Sequence, residues 1–222
     1  MKTKTVVIIT ALLCLAVLGL GLILAPRFPD PMVVHWNAAG EADGYGSRFT
    51  GIWMIPLMTV GLAFLLIAMP KIDPLKKNIA AFRGEFNLFI LLFAVFMVYI
   101  QVLSLLSNLG RQFNMLLFML PAMAAFYYFI GVMLAKAKRN YFIGIRTPWT
   151  LADDQTWDIT HKAGAKAFKI GALITLLGLL LPAQAAIWFV MLPLLGAAFF
   201  AVVYSYFVYR RLHPDGDETE KP

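Results

Sequence analysis

Charge is scarce in this chain. Asp, Glu, Lys and Arg make up 14% of its 222 residues against 61% hydrophobic residues, and mean hydropathy is +0.77. A soluble domain keeps about a quarter of its residues charged to cover its surface, so a water-soluble globule is excluded. Cysteine is rarer still. The single Cys14 lies inside an apolar run, which excludes an intrachain disulfide, a zinc knuckle and a redox pair. Titratable groups are missing from the middle of the apolar runs, where a proton-coupled pump needs them. No motif recurs in matching halves, so the pseudosymmetry of many transporters has no support. The net charge of +7 raises the question of a nucleic-acid partner. The basic residues sit at the ends of apolar runs, so they report membrane orientation, and no direct nucleic-acid binding is expected.

What the chain has is long apolar runs. A helix crossing the hydrocarbon core needs about 20 mostly apolar residues, because its backbone polar groups must be paired internally. Six stretches meet or approach this: Val6 to Ala25, Gly51 to Met69, Asn87 to Ser107, Asn114 to Ala135, Ala163 to Leu181 and Ala185 to Tyr209. The fifth carries Lys166 and Lys169 in its first turns, where lysine snorkels to the headgroups. Pro193 and Gly196 are expected to bend the sixth. Lys2 and Lys4 before the first run resemble the start of a signal peptide, but Pro26 stands where a small-residue cleavage site would be needed, and an uncleaved helix is expected. The fold class expected is an all-α integral membrane protein, a bundle of six transmembrane helices with both termini cytoplasmic, in the cell membrane. With the amino terminus inside, the outer segments hold Arg27, Arg48 and Arg111, and the inner segments hold every other one of the nineteen Lys and Arg. That asymmetry is the positive-inside pattern, and Trp53, Trp188, Tyr206 and Tyr209 fall where an interfacial aromatic belt belongs.

The organisation expected is a transmembrane hairpin over residues 1–70 with an extracytoplasmic loop 26–50, a four-span region over 71–212 with a cytoplasmic loop 136–162, and a flexible acidic tail 213–222. The two loops hold most of the polar information. In the outer one, Pro29-Asp30-Pro31 leads to His35-Trp36-Asn37 and then Gly40-Glu41-Ala42-Asp43-Gly44-Tyr45-Gly46-Ser47. Its prolines and glycines impose turns and extended dipeptides, and a compact cap is expected on spans one and two. The inner loop runs from Asn140 through Gly144-Ile145-Arg146-Thr147-Pro148-Trp149-Thr150 to His161. There Thr150 and Asp153 have the spacing of a capping box, with Asp in place of Glu or Gln. From Leu151 a helix is expected to run directly into span five, with Trp157 turned to the membrane surface.

The outer string resembles the extracytoplasmic signature of a bacterial and archaeal membrane domain of unknown function. The inner string Gly144-Ile145-Arg146-Thr147-Pro148-Trp149-Thr150-Leu151, followed by Trp157 and Thr160-His161, resembles the signature of the SdpI family. Members of that family include immunity proteins against a secreted peptide toxin involved in sporulation delay. The resemblance implies a non-enzymatic membrane immunity or sensor protein whose partners are membrane lipid, an extracellular peptide toxin and a cytoplasmic regulator. Outer residues His35, Trp36, Asn37, Glu41, Asp43 and Tyr45 would meet the ligand. Inner residues Gly144, Arg146, Thr147, Pro148, Trp149, Asp154, Trp157 and His161 would signal or hold the bundle.

The same residues admit other readings. His35 with Asp30, Glu41 and Asp43 matches no zinc spacing, so turn and cap roles are preferred and no metal or other cofactor is expected. His35, Asp43 and Ser47 invite a hydrolase triad, but nothing resembles a nucleophile elbow or oxyanion hole, and no catalytic residue is assigned. Asp154, Asp158 and His161 fall at i, i+4 and i+7, either a metal or proton-relay face or, the preferred reading, a solvated helix face. Arg146 anchors to lipid phosphate, pairs with an acid such as Asp154, or docks a cytoplasmic protein. Gln101, Ser104 and Asn108 share one face of the third span, either lining a polar path or bonding neighbouring helices. A small-solute or lipid transporter and a membrane-embedded hydrolase are the alternative functions.

Overall fold

In the computed structural model, which describes residues 1–214, the chain forms six long helices with a small hairpin on one end. The long helices are α1 (Thr3–Leu24), α2 (Arg48–Ile72), α4 (Arg83–Asn108), α5 (Met115–Leu134), α7 (Asp154–Leu177) and α8 (Ala183–Leu212). Two short helices, α3 (Lys76–Ala81) and α6 (Pro148–Ala152), lie at the opposite end from the hairpin. All six long helices are apolar enough to cross a membrane. The acidic tail falls mostly on residues 215–222, outside the described residues.

The packing is that of a bundle in lipid. On α1 the buried positions Val6, Thr10, Cys14, Val17 and Gly21 recur every three or four residues and form one inward stripe. Large side chains face outward, with Ile23 77%, Phe199 72% and Leu180 80% exposed. A water-soluble surface does not carry such apolar side chains in continuous bands; hydrocarbon chains do accept them. Helices α1, α2 and α4 pack on one another, α5, α7 and α8 form a second group, and α4 joins the two along α5. Phe126 of α5 stacks between Phe89 and Phe96 of α4, with ring centroids 5.4 and 5.3 Å apart, and closes that seam.

Several local expectations are revised. The outer loop is a two-stranded antiparallel hairpin, β1 (Met32–Trp36) and β2 (Ala42–Gly46), so the helical bundle carries one small sheet. Thr150 is not the N-cap of a capping box with Asp153. Thr147 and Thr150 form the box that starts α6, and Asp153 caps α7 separately by accepting from the Thr156 N–H at 2.6 Å. The chain is extended at Asp153 (φ −142°, ψ 132°), so no continuous helix runs from Leu151 into span five. Once capped, α7 starts at Asp154, well before Ala163, because Trp157, Thr160 and His161 gain burial in the bundle. Trp157 is fully buried rather than turned to the membrane surface.

Candidate functional site

The hairpin is built by its turn and held from below. Asn37 shapes the turn: its Oδ1 accepts from the Ala39 and Glu41 N–H groups at 2.9 and 3.0 Å, and its Nδ2 donates to Glu41 at 3.2 Å. Gly40 sits at φ +76°, against Asn114, where a side chain would collide. Beneath the strands, Asn108 accepts from the Val33 N–H at 2.8 Å and donates to the Val33 carbonyl at 2.9 Å. Asn114 donates to Ala39 O at 2.6 Å while capping α5 through the Leu117 N–H. Met32 is fully buried against Gly51 of α2. The hairpin is therefore fixed to α2, α4 and α5 through groups whose release would leave backbone polar atoms unpaired.

Its upper face is polar and aromatic. His35 Nδ1 lies 2.6 Å from Asp43 Oδ1 across the strands, with the two side chains 69% and 43% exposed. Tyr45 is 61% exposed. Trp36 is half-buried and, with His35, Met54, Met115 and Met119, lines a cavity of about 220 Å³ between hairpin and helices. Of the six predicted residues, His35, Glu41, Asp43 and Tyr45 are exposed and Trp36 lines the cavity, while Asn37, with Glu41, closes the turn. The triad geometry is not assembled around Ser47, whose hydroxyl accepts from the Thr50 N–H and caps α2.

The loop 136–162 is a knot of paired polar groups, although the buried Thr160 hydroxyl lacks a partner. Asn140, fully buried, donates to the Lys138 and Ile143 carbonyls at 2.8 and 3.0 Å and accepts from the Phe142 and Ile143 N–H groups at 2.9 and 2.7 Å. Gly144, at φ +111°, passes so close to His161 that no side chain fits. His161 Nε2 accepts from the Ile145 N–H at 3.0 Å, so Nδ1 carries the proton and donates to the Trp157 carbonyl at 2.9 Å. Only the neutral ring satisfies both bonds. Trp157 stacks on His161 at 3.9 Å and donates from its indole nitrogen to Ala137 O at 2.9 Å. Asp73, at the end of α2, accepts from the Tyr141 N–H at 2.9 Å, and Asn78 of α3 donates to Arg139 O at 2.8 Å. The Thr147 and Ser205 hydroxyls meet at 2.9 Å, and Trp149 stands edge-on to Tyr206 at 5.1 Å, so the loop is also tied to α8. Pro148 supplies the first turn of α6 and is exposed.

The acidic face of α7 divides. Asp154 pairs with Arg139 at 2.6 Å, Asp158 pairs with Lys138 at 3.1 Å, and His161 is buried 1% exposed beneath the loop. Asp154, Asp158 and His161 thus share no metal or relay site, and among the described residues no three His, Cys, Asp or Glu side chains group as metal ligands. Arg146 does not pair with Asp154: it is exposed and donates to the Tyr141 carbonyl at 3.0 Å. At Asp153 burial raises the carboxyl pKa, but hydrogen bonds from the Thr156 hydroxyl and the Thr156 and Gln155 N–H groups outweigh it and, with nearby His213, hold it below its ordinary value. Gln101 donates to Gly51 O at 2.9 Å and Asn108 to the hairpin, so these two bond neighbouring elements, while Ser104 lines the cavity beneath the hairpin.

Sequence reasoning missed Asn114, Asn140, Asp73 and Arg139 as organisers. The available signal was Asn114 at a helix boundary, where an Asn side chain pairs backbone groups.

Residues 136–205 match the SdpI/YfhL protein family, and residues 12–60 match a domain of unknown function, DUF1648. The chain is similar to the Immunity protein SdpI of Bacillus subtilis (strain 168), with 28% identity over 215 residues that cover 96% of this chain and 99% of the relative. No solved structure matches the fold.

Proposed function

Because the chain is similar along its length to an SdpI immunity protein and has six helices long and apolar enough to cross a membrane, we propose that it gives its cell immunity to an extracellular peptide toxin by non-enzymatic binding. In this reading both termini are cytoplasmic, the loop 26–50 meets the toxin outside through its hairpin, and the loop 136–162 faces the cytosol. The single observation that carries the proposal is the hairpin's two-sided construction: Asn108 and Asn114 clamp it from below while His35, Asp43 and Tyr45 stay open above. A rigid amphipathic face loses little freedom when a peptide docks. Arg27, Arg48 and Arg111 are the basic residues at the hairpin end, in keeping with an outward orientation.

The hairpin and the inner loop are ends of one lever. Helix α5 begins at the hairpin through Asn114 and ends at the loop through Ala137 and Asn140. A shift of α5 on binding would reach Arg146 and Pro148, the exposed residues of the inner signature, where a cytoplasmic regulator would read it.

Survival of sensitive cells challenged with the sporulation-delay peptide tests the reading. The chain is expected to protect them, and Tyr45→Ala and His35→Ala are expected to abolish protection at unchanged protein level. Full protection by both variants overturns the role of the hairpin. In a Cys14→Ser background, Tyr45→Cys is expected to react with an impermeant maleimide in intact cells, and Arg146→Cys only after permeabilisation. Labelling of both in intact cells overturns the orientation.

A further inference from the structure

At the end of the bundle opposite the hairpin, a cavity of about 450 Å³ opens between α2, α3 and α4, lined by Pro70, Lys71, Lys76, Ile79, Ala80 and Arg83. Three cations and no acid line it. None of the three has a carboxylate within 4.0 Å among the described residues. The acid next to them in the chain, Asp73, is turned away: its oxygens accept from the Leu75 and Tyr141 N–H groups at 2.6 and 2.9 Å. Arg83 is pre-set rather than free, since its Nε donates to the Thr3 hydroxyl at 3.3 Å and its guanidinium lies 5.7 Å over the Phe86 ring. That leaves its terminal nitrogens to meet an anion without the loss of side-chain freedom a loose arginine would suffer.

The surroundings say what kind of anion. Pro70, Ile79 and Ala80 make the cavity half apolar, and Ile72 is 72% exposed beside it. Further into the bundle's lipid-facing surface, α2 presents Phe64 and Leu65, 68% and 49% exposed, about 10 Å along the axis from Lys71. A soluble phosphate uses the cations alone, whereas a phospholipid uses both the cations and the apolar strip below them. Basic pockets between transmembrane helices bind anionic headgroups for this reason. We propose that the α2–α3–α4 cavity is a binding site for the headgroup of an anionic phospholipid, with Lys71, Lys76 and Arg83 on its phosphate and the acyl chains along Phe64 and Leu65. The site is independent of the immunity reading and would hold α3 and the Asp73 turn, on which the inner loop rests.

Native mass spectrometry of the detergent-purified full chain, titrated with phosphatidylglycerol or phosphatidylcholine, tests it. Phosphatidylglycerol is expected to bind tighter. Each lysine contributes about fivefold at a membrane surface, so Lys71→Gln with Lys76→Gln is expected to weaken phosphatidylglycerol by more than tenfold and leave phosphatidylcholine unchanged. Lys76→Arg is expected to retain binding, and Lys162→Gln, the removal of one charge on α7, is expected to have no effect. Unchanged phosphatidylglycerol affinity in the double variant overturns the site. So does an equal loss in Lys162→Gln, displacement of the lipid by inorganic phosphate, or a change in oligomeric state without a change in lipid affinity.

Discussion

Asn108 on α4 holds both backbone polar groups of Val33 on the hairpin, accepting from the N–H at 2.8 Å and donating to the carbonyl at 2.9 Å. A third bond, from Nδ2 to Ser104 O within its own helix, fixes the rotamer that makes this clamp possible. One side chain thus pairs both backbone groups of Val33, in a strand without a second sheet partner.

Asn108→Ala is expected to release the hairpin. The Val33 groups lose their partners, at about 1–3 kcal/mol for each buried group left unmade. Limited proteolysis is expected to cut between Pro29 and Ser47 much faster in the variant, while the six long helices keep their circular dichroism. Equal cleavage rates would show that the hairpin is held elsewhere.

Two glycines in the left-handed region separate conformational cost from collision. Gly110 (φ +82°) faces open space, whereas a side chain at Gly144 (φ +111°) would strike His161. Gly110→Ala is expected to cost about 1 kcal/mol, the ordinary penalty for that backbone region. Gly144→Ala is expected to cost clearly more, because the Ile145–His161 bond must also break. Thermal unfolding in detergent compares them, and equal shifts in Tm would refute the close contact.

Arg139 and Arg146 lie in the same loop with different duties. Arg139 donates to Asp154 at 2.6 Å and to the Leu151 carbonyl at 2.8 Å, while Arg146 makes one exposed bond. Arg139→Ala is expected to destabilise by about 1–3 kcal/mol, mainly because it strips the part-buried Leu151 carbonyl, while the Asp154 carboxylate, 75% exposed, adds little. Arg146→Ala is expected to cost under about 1 kcal/mol. Reversal of that order in chemical unfolding would contradict the loop geometry.

Acid is expected to loosen the start of α7. The Asp153 carboxyl has a folded pKa below its unfolded value, so its contribution is fully present above the unfolded value, about 4, and is lost as pH falls through the folded one. Asp153→Asn removes the titration. The Tm difference between wild type and Asp153→Asn is therefore expected to be constant above about pH 5 and to shrink below about pH 4. A difference that grows in acid would reverse the sign and refute the cap.

Much of the architecture is legible along the chain because hydropathy sums locally. The spans Val6 to Ala25 and Asn114 to Ala135 lie within a few residues of α1 and α5, and the two polar loops are where the hairpin and the knot stand. Span five was legible only from Ala163, since the first turns of α7 are polar. Their helix depends on Asp153 capping it and on the bundle burying Trp157 and His161. The candidate site was half legible. Its residue types stood out, but Asp154 lies beside Arg139 rather than Arg146, and Asn37 serves the turn.

Sequence by itself determined a membrane protein with six apolar helices, basic residues gathered at one end, and polar chemistry confined to two loops. Those properties depend on how many apolar or charged groups a segment holds, and neighbours along the chain settle that. Tertiary structure alone decided which polar group each Asn, Asp and His would satisfy. A hydrogen bond is won by whichever partner arrives within about 3 Å, and here those partners come from helices dozens of residues away.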